Sequence, residues 1–320
     1  MEWIVVIRHG IPFIAFALKY LLMTTLLLLT SFIFGSIVGS FLNVLVERID
    51  TNESPFKGRS HCPYCKKTLT FWELIPIFSY FLLKGRCSQC KNKISIQYPL
   101  IEFLTALFFL LLSLRILRLP LIKAVFLNLN PSHFLILLNF LFWFFWVFVF
   151  IAISLYDIKK YLILTEVLIP AIVIAAFWRV FYGFFYLFKK DNLFLSFSKF
   201  LGKESYVFGN YSYFLSLILG IIFSFGIIAL IVYITKEKAM GWGDAILAFF
   251  IGLILGFPES LIALIIAFLI GGFSSLVFII FKKKNLKSYL PFAPFLSLGA
   301  LLVMLFGDII IKSYLSLIYL

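Results

Sequence analysis

The stretch Gly241–Ile280, GWGDAILAFFIGLILGFPESLIALIIAFLIGGFSSLVFII, decides the fold. Apart from Asp244 and Glu259 it carries no charged residue, and its one clear break is Gly256-Phe257-Pro258. A helix needs about 20 apolar residues to cross about 30 Å of hydrocarbon. The stretch therefore reads as a short span at 245–257, a turn, and a full span at 259–281. An ionised carboxylate beside a span costs at least about 2.5 kcal/mol on insertion scales, so Asp244 needs an explanation.

The same apolar pattern recurs outward along the chain and predicts eight spans: 13–46, 99–118, 133–156, 162–188, 211–234, 245–257, 259–281 and 291–316. The composition agrees, since the 320 residues are 63% hydrophobic, 20% aromatic and only 13% charged, with a mean hydropathy of +1.10. Soluble domains do not reach such values. The expected fold is all-α: a polytopic membrane helix bundle of about eight transmembrane helices with a small cytoplasmic four-cysteine insert. Phe140–Phe150, FLFWFFWVFVF, reads as lipid-facing bulk.

The net charge of +14 does not point to nucleic acid. Basic residues at span ends fix orientation and meet anionic head groups of the membrane lipid. The polar region 47–98 holds Arg48, Lys57, Arg59, Lys66, Lys67, Lys84, Arg86, Lys91 and Lys93, which places it in the cytoplasm. Counting spans onward puts Lys159-Lys160, Lys236 to Lys238 and Lys282 to Lys287 on the same side. Lys123, Lys189, Lys190, Lys199 and Lys203 fall in the opposite loops, so the bias is clear without being complete. No removable leader is expected, and no internal repeat of useful fidelity is visible.

All four cysteines lie in that insert, as Cys62-x-x-Cys65 and Cys87-x-x-Cys90. Two such knuckles supply the four thiolates of a tetrahedral structural Zn²⁺ site. Disulfides are the competing reading and are disfavoured in a reducing cytoplasm. With four sulfurs present, His61 is expected to stand outside the site.

Two acidic residues sit at cytoplasmic span ends against strongly apolar sequence, Asp157 in ISLYDIKKYL and Asp244 in GWGDAIL. Paired carboxylates share a proton, so one acts as acid while the other activates water, and that chemistry cleaves a peptide bond without metal. Gly241 and Gly243 then offer room for an extended substrate backbone. The plain alternatives remain open: Asp244 as a helix N-cap and Asp157 as a lysine-paired residue at the membrane edge. Gly35-x-x-x-Gly39, with Ser36 and Ser40, reads as a helix-packing face. Asn43, Glu47 and Arg48 follow it, and Glu102 stands near the start of the next span. They read either as interfacial cap and ion pair or as a face that binds a methyl donor or substrate.

In order along the chain, GSIVGSFLNVLVER (Gly35–Arg48), the two knuckles, ISIQYPLIE ending in Tyr98, Pro99 and Glu102, Asp157, the Gly-x-Gly-Asp at Asp244, and PFAPFLSLGA (Pro291–Ala300) resemble the type IV prepilin peptidase family. Leu164-Thr165 replaces the family's usual Pro-Asp, and Ile246 stands where a lysine is often found. The resemblance implies a bifunctional membrane aspartic peptidase with Asp157 and Asp244 catalytic, in the bacterial inner (plasma) membrane. It implies leader cleavage of prepilin or pseudopilin precursors and S-adenosylmethionine-dependent methylation of the new terminus. Residues 1–130 would form the methyltransferase part and 131–320 the peptidase part, with Asn43, Glu47, Arg48 and Glu102 as candidates toward the methyl donor. Two competing expectations are another Gly-x-Gly-Asp protease of the presenilin type, echoed by Tyr156-Asp157, and a transporter or channel with proton-binding aspartates.

Overall fold

The computed structural model describes residues 2–50, 54, 57–117, 132–188, 212–281 and 290–318. Lys123, Lys189, Lys190, Lys199, Lys203 and Lys282 to Lys287, on which part of the expected orientation rests, lie outside them. The chain forms two compact units, 1–144 and 145–320.

The first unit is built on a long helix, α1 (Glu2–Asp50), and a second, α3 (Gln97–Leu117). Between them lie a 3₁₀ turn (Phe71–Leu74) and a short helix α2 (Phe78–Leu82). α1 and α3 approach with backbone on backbone. A Cβ at Gly35 would stand 2.7 Å from Ala106 Cα, and one at Gly39 2.7 Å from Glu102 Cα. The small-residue face is thus a packing face, as expected for helices whose association in lipid depends on close approach. Ser113 on α3 donates across the same crossing to Ser31, at 2.8 Å.

Helix α4 (Ser132–Lys160) leads into the second unit, which continues with α5 (Thr165–Phe188), α6 (Ser212–Thr235), α7 (Trp242–Leu255), α8 (Glu259–Ile280) and α9 (Ala293–Ile318). Six helical stretches among the described residues are long and apolar enough to cross a membrane, and α7 is a shorter apolar helix. With α5, eight long or apolar helices follow one another where eight spans were expected.

The brevity of α7 has a physical consequence. Its 14 residues cover about 21 Å at 1.5 Å per residue, well short of the hydrocarbon thickness. Its last carbonyls would then be stranded in an apolar setting. They are not. Buried Arg179 on α5 donates Nε–H to Leu253 O at 3.0 Å. Phe257 N–H donates to Ser216 O at 2.9 Å, and the Ser216 hydroxyl donates to Phe257 O at 2.6 Å. Gly256, at φ 76, ends the helix in the left-handed region that glycine tolerates. Close packing against α6 completes the seat, since a Cβ at Gly220 would lie 2.5 Å from the Gly256 carbonyl carbon.

Candidate active site and metal centre

Asp157 lies three residues before the end of α4 and is only 5% exposed. Its Oδ2 accepts the backbone N–H of Ala293, the first residue of α9, at 3.1 Å. A helix N-terminus has amides without intrahelical partners, and here one of them is aimed at a carboxylate. The carboxylate is buried rather than snorkelling at the edge, while Lys159 and Lys160 are exposed.

Asp244 stands at the third position of α7, not at its N-cap, which is Gly241. Its Oδ2 accepts the Gly241 N–H at 3.2 Å, and the Asp244 N–H donates to Gly241 O at 3.1 Å. This is the acidic half of a capping box, with glycine in place of the usual hydroxyl residue. The helix thus starts three residues earlier than an N-cap at Asp244 would require, because Trp242, Gly243 and Asp244 are already helical.

Local packing brings the two together. After α4 the chain turns at Tyr161, whose N–H donates to Asp157 O at 2.8 Å, and Ile163 then lies against Gly243. A Cβ on Gly243 would be 2.5 Å from Ile163 Cγ1. The residue preceding one aspartate thus rests on the connection that follows the other, and Asp244 falls within Coulombic reach of Asp157. The same contact corrects one expectation: Ile163 occupies the space beside Gly243 that was assigned to substrate. Gly241 keeps open space around its α-carbon.

Among the described residues each aspartate receives one hydrogen bond, on Oδ2, leaving Oδ1 without a protein donor. Ser297, one turn beyond Ala293 on α9, is buried and its hydroxyl has no hydrogen-bond partner. Ala293 and Ile163 are not singled out by residue type, although Ala293, like Ser297, falls within the stretch PFAPFLSLGA. The first acts through its backbone and the second through its bulk, so residue type carried no signal.

In the first unit the four cysteine sulfurs lie within 4.8 Å of one another, and none is in a disulfide. Cys62 to Cys90 and Cys65 to Cys87 are each 3.9 Å apart. A tetrahedron with metal–sulfur bonds of about 2.3 Å has edges near 3.8 Å, so the donor set fits a four-thiolate metal ion. The two knuckles also share their local hydrogen bonding. Cys62 N–H donates to Lys67 O and Cys87 N–H to Asn92 O, both at 2.9 Å; His61 bridges Thr68 as Arg86 bridges Lys93. Lys66 and Lys91 both take φ near +60°. The nine-residue pair HCPYCKKTL and RCSQCKNKI was the available signal. Backbone N–H groups of Cys90 and Gln89 pull the Cys87 thiol down to about 6, while burial and the neighbouring sulfurs push the Cys90 thiol up to about 11.

Glu73, between the knuckles, joins them. It accepts Lys67 Nζ at 2.8 Å from the first knuckle and the Ser88 hydroxyl from the second, while Thr70 N–H donates to its other oxygen at 2.8 Å. The Lys67 ammonium, with help from Ser88 and Thr70, holds the Glu73 carboxyl at about 2.

The remaining candidates frame this insert. Asn43 donates to Gly39 O and Tyr98 O, both at 3.2 Å. Exposed Glu47 accepts the Tyr98 hydroxyl at 3.1 Å. Arg48 is buried and donates to Ser54 O, Lys57 O and Arg59 O, at 3.1, 2.5 and 3.3 Å. Glu102 is buried on α3 and accepts the Ile77 N–H at 2.6 Å.

Comparison with known proteins adds independent findings. Residues 33–116 match the model of the bacterial peptidase A24 N-terminal domain. Residues 143–276 match that of the type IV leader peptidase family. A prepilin leader peptidase/N-methyltransferase of Aeromonas hydrophila is 26% identical, over 99% of both chains. One of Bacillus subtilis is 31% identical, over 89% of this chain and 97% of its own. One of Myxococcus xanthus is 45% identical over 24% of this chain and 23% of its own. No solved structure matches.

Proposed function

The chain belongs to the type IV leader peptidase family, and from that premise we propose that Asp157 and Asp244 are the catalytic pair with which it removes the leader peptide of prepilin-like precursors. It is a multi-pass membrane enzyme, a prepilin leader peptidase and N-methyltransferase. That membership sets aside the transporter and the presenilin-type expectations.

The observation that carries the assignment is the half-satisfied state of both carboxylates: each is held by one backbone amide and keeps Oδ1 without a protein donor among the described residues. A carboxylate held in this way keeps one oxygen open to water or substrate. In the proposed reaction the two carboxylates hold one proton between them. The ionised member takes a proton from water as its oxygen attacks the scissile carbonyl carbon. The protonated member gives its proton to the carbonyl oxygen, and a gem-diol forms. Collapse of the diol breaks the C–N bond, with a proton delivered to the leaving amine. The Ala293 and Gly241 amides keep each Oδ2 in place throughout.

We further propose that zinc is the metal of the four-cysteine cluster, where it closes the insert as a structural ion. S-adenosylmethionine would supply the methyl group to the new N-terminus. Of the candidates toward it, exposed Glu47 suits contact with a cationic donor, and Asn43, Arg48 and Glu102 hold the frame around it. The functional division is residues 1–130 for methyl transfer and 131–320 for cleavage. The enzyme would sit in the bacterial inner membrane, with the dyad and the insert at the cytoplasmic face, and would touch lipid and pilin precursors but no nucleic acid. The test is cleavage of a prepilin by membranes carrying Asp157→Asn or Asp244→Asn. Loss of cleavage with normal membrane insertion supports the pair; near-normal processing by either variant removes it.

A further inference from the structure

The segment between the knuckles has a surface that neither peptide cleavage nor metal binding uses. Phe71 and Trp72 are 76% and 73% exposed, and Phe78, Phe81 and Leu82 project in the same way. A water-facing loop does not ordinarily carry so many large apolar groups side by side. The only charged residue within 71–82 is Glu73, and Lys67 already pairs with it. Exposed cations stand on either side: Lys66 before the segment, Lys84 and Arg86 after it. Aromatic and aliphatic side chains bounded by Lys and Arg are the composition of elements that lie in a membrane–water interface.

A second observation sets the depth. Ile77, at the middle of the segment, is tied by its N–H to Glu102 Oε2 at 2.6 Å. Glu102 belongs to the membrane-span stretch Gln97–Arg115. It is five residues inside the helix, about 8 Å along the axis. Interfacial helices bury their apolar faces about 5–10 Å into the boundary between head groups and acyl chains, so the tether holds the segment at that level. The backbone pays attention to this contact in its conformation: Ile77 takes φ 63, ψ −55, a region a β-branched residue rarely enters, and it does so with its amide held by Glu102.

We propose that residues 71–82 form a bilayer-interface anchor, seated among anionic head groups, that fixes the metal-closed insert against the membrane. Phe71, Trp72, Phe78, Phe81 and Leu82 enter the boundary, while Lys66, Lys84 and Arg86 meet lipid phosphates. The occupant of this surface is lipid, because both the flanking charge and the depth of the Glu102 tether match the interface. The assignment does not depend on which residues cleave the substrate.

The experiment uses the full-length, metal-loaded protein in phosphatidylcholine vesicles containing phosphatidylglycerol brominated at shallow acyl carbons. The emission of Trp72 is isolated as the difference between wild type and Trp72→Phe, a change that keeps an aromatic ring at an exposed position. Brominated lipid is expected to lower that difference emission roughly two-fold, as for a ring seated in the interface. Aqueous iodide should have little effect. Iodide quenching with no effect of brominated lipid overturns the anchor. So does a Trp72 signal that responds only when a prepilin peptide is added, which would make the surface a substrate dock.

Discussion

The carboxylates of the two units are held in opposite ways, and the difference bears on the catalytic proposal. Glu73 in the insert accepts from Lys67, Ser88 and both polar groups of Thr70, so its oxygens are fully committed. Asp157 and Asp244 accept one backbone amide each. The first arrangement lowers the energy of one ionised state and locks it. The second fixes the position of a carboxylate while leaving an oxygen able to exchange a proton with water or substrate. A chain this poor in charge has few carboxylates, and Glu73 differs in this respect from the two proposed as catalytic.

The contrast breaks most sharply at the proposed catalytic pair. Asp157→Asn and Asp244→Asn each keep an oxygen for the Ala293 or Gly241 amide but remove the exchangeable proton. Cleavage of a prepilin is expected to fall by roughly 10³-fold or more, with the metal content of the insert unchanged. A matching loss of metal would mean that the aspartates are structural after all.

Removing the metal should strike the other unit. Structural zinc contributes of the order of 10 kcal/mol to the fold of small zinc-binding peptides. Chelation, or Cys62→Ser with Cys87→Ser, is therefore expected to expose residues 57–96 to hydrogen exchange and to abolish N-methylation of the pilin product. Cleavage should fall less than about 10-fold if the peptidase unit keeps its own packing. Mass spectrometry of the product terminus reads both activities at once, and equal losses would erase the division between units.

Gly243 offers a finer test within the second unit. A methyl there meets Ile163 Cγ1 at 2.5 Å, so Gly243→Ala must shift the start of α7 against the connection after Asp157. Displacements approaching 1 Å at a catalytic group cost about 100-fold, and this smaller one should cost about 10-fold in kcat. Adding Ile163→Ala should recover part of the loss, since it removes the nearest atom. No recovery would mean that the contact does not set the spacing of the pair.

Much of this architecture was legible in the sequence because hydrocarbon thickness is a strict ruler. Long apolar runs can meet it only as helices, and even the short α7 and its stop at Gly256 were visible. The cysteine spacing was equally plain, since residue type and ligand chemistry coincide. The donor to Asp157 was not legible, because any residue at position 293 except proline would offer the same amide. Arg179 was no more legible, because a lone arginine in an apolar run says nothing of the carbonyl it will meet, 74 residues away. The repeat of the knuckles was available in Cys-x-x-Cys-Lys at 62–66 and 87–91, but two occurrences a few residues long fall below the fidelity that whole-domain repeats show.

The smallest effect expected belongs to Glu73, and it sharpens the comparison from the committed side. Its folded carboxyl titrates at about 2, against an ordinary value of 4.5. Between those values the unfolded chain binds the proton and the folded insert does not, so stability from this group rises with pH across that window. It is fully present above about pH 4.5 and is lost as the pH falls toward 2. Glu73→Gln keeps the side chain's size but removes the charge that Lys67 meets. Hydrogen exchange of the insert amides should therefore be faster in the variant at neutral pH, by a few-fold at most, because the Lys67 ammonium remains partly in contact with water. The two proteins should converge as the pH falls through the window. A difference that persists unchanged to pH 2 would show that Glu73 acts through its shape, and that the charge is no part of what joins the two knuckles.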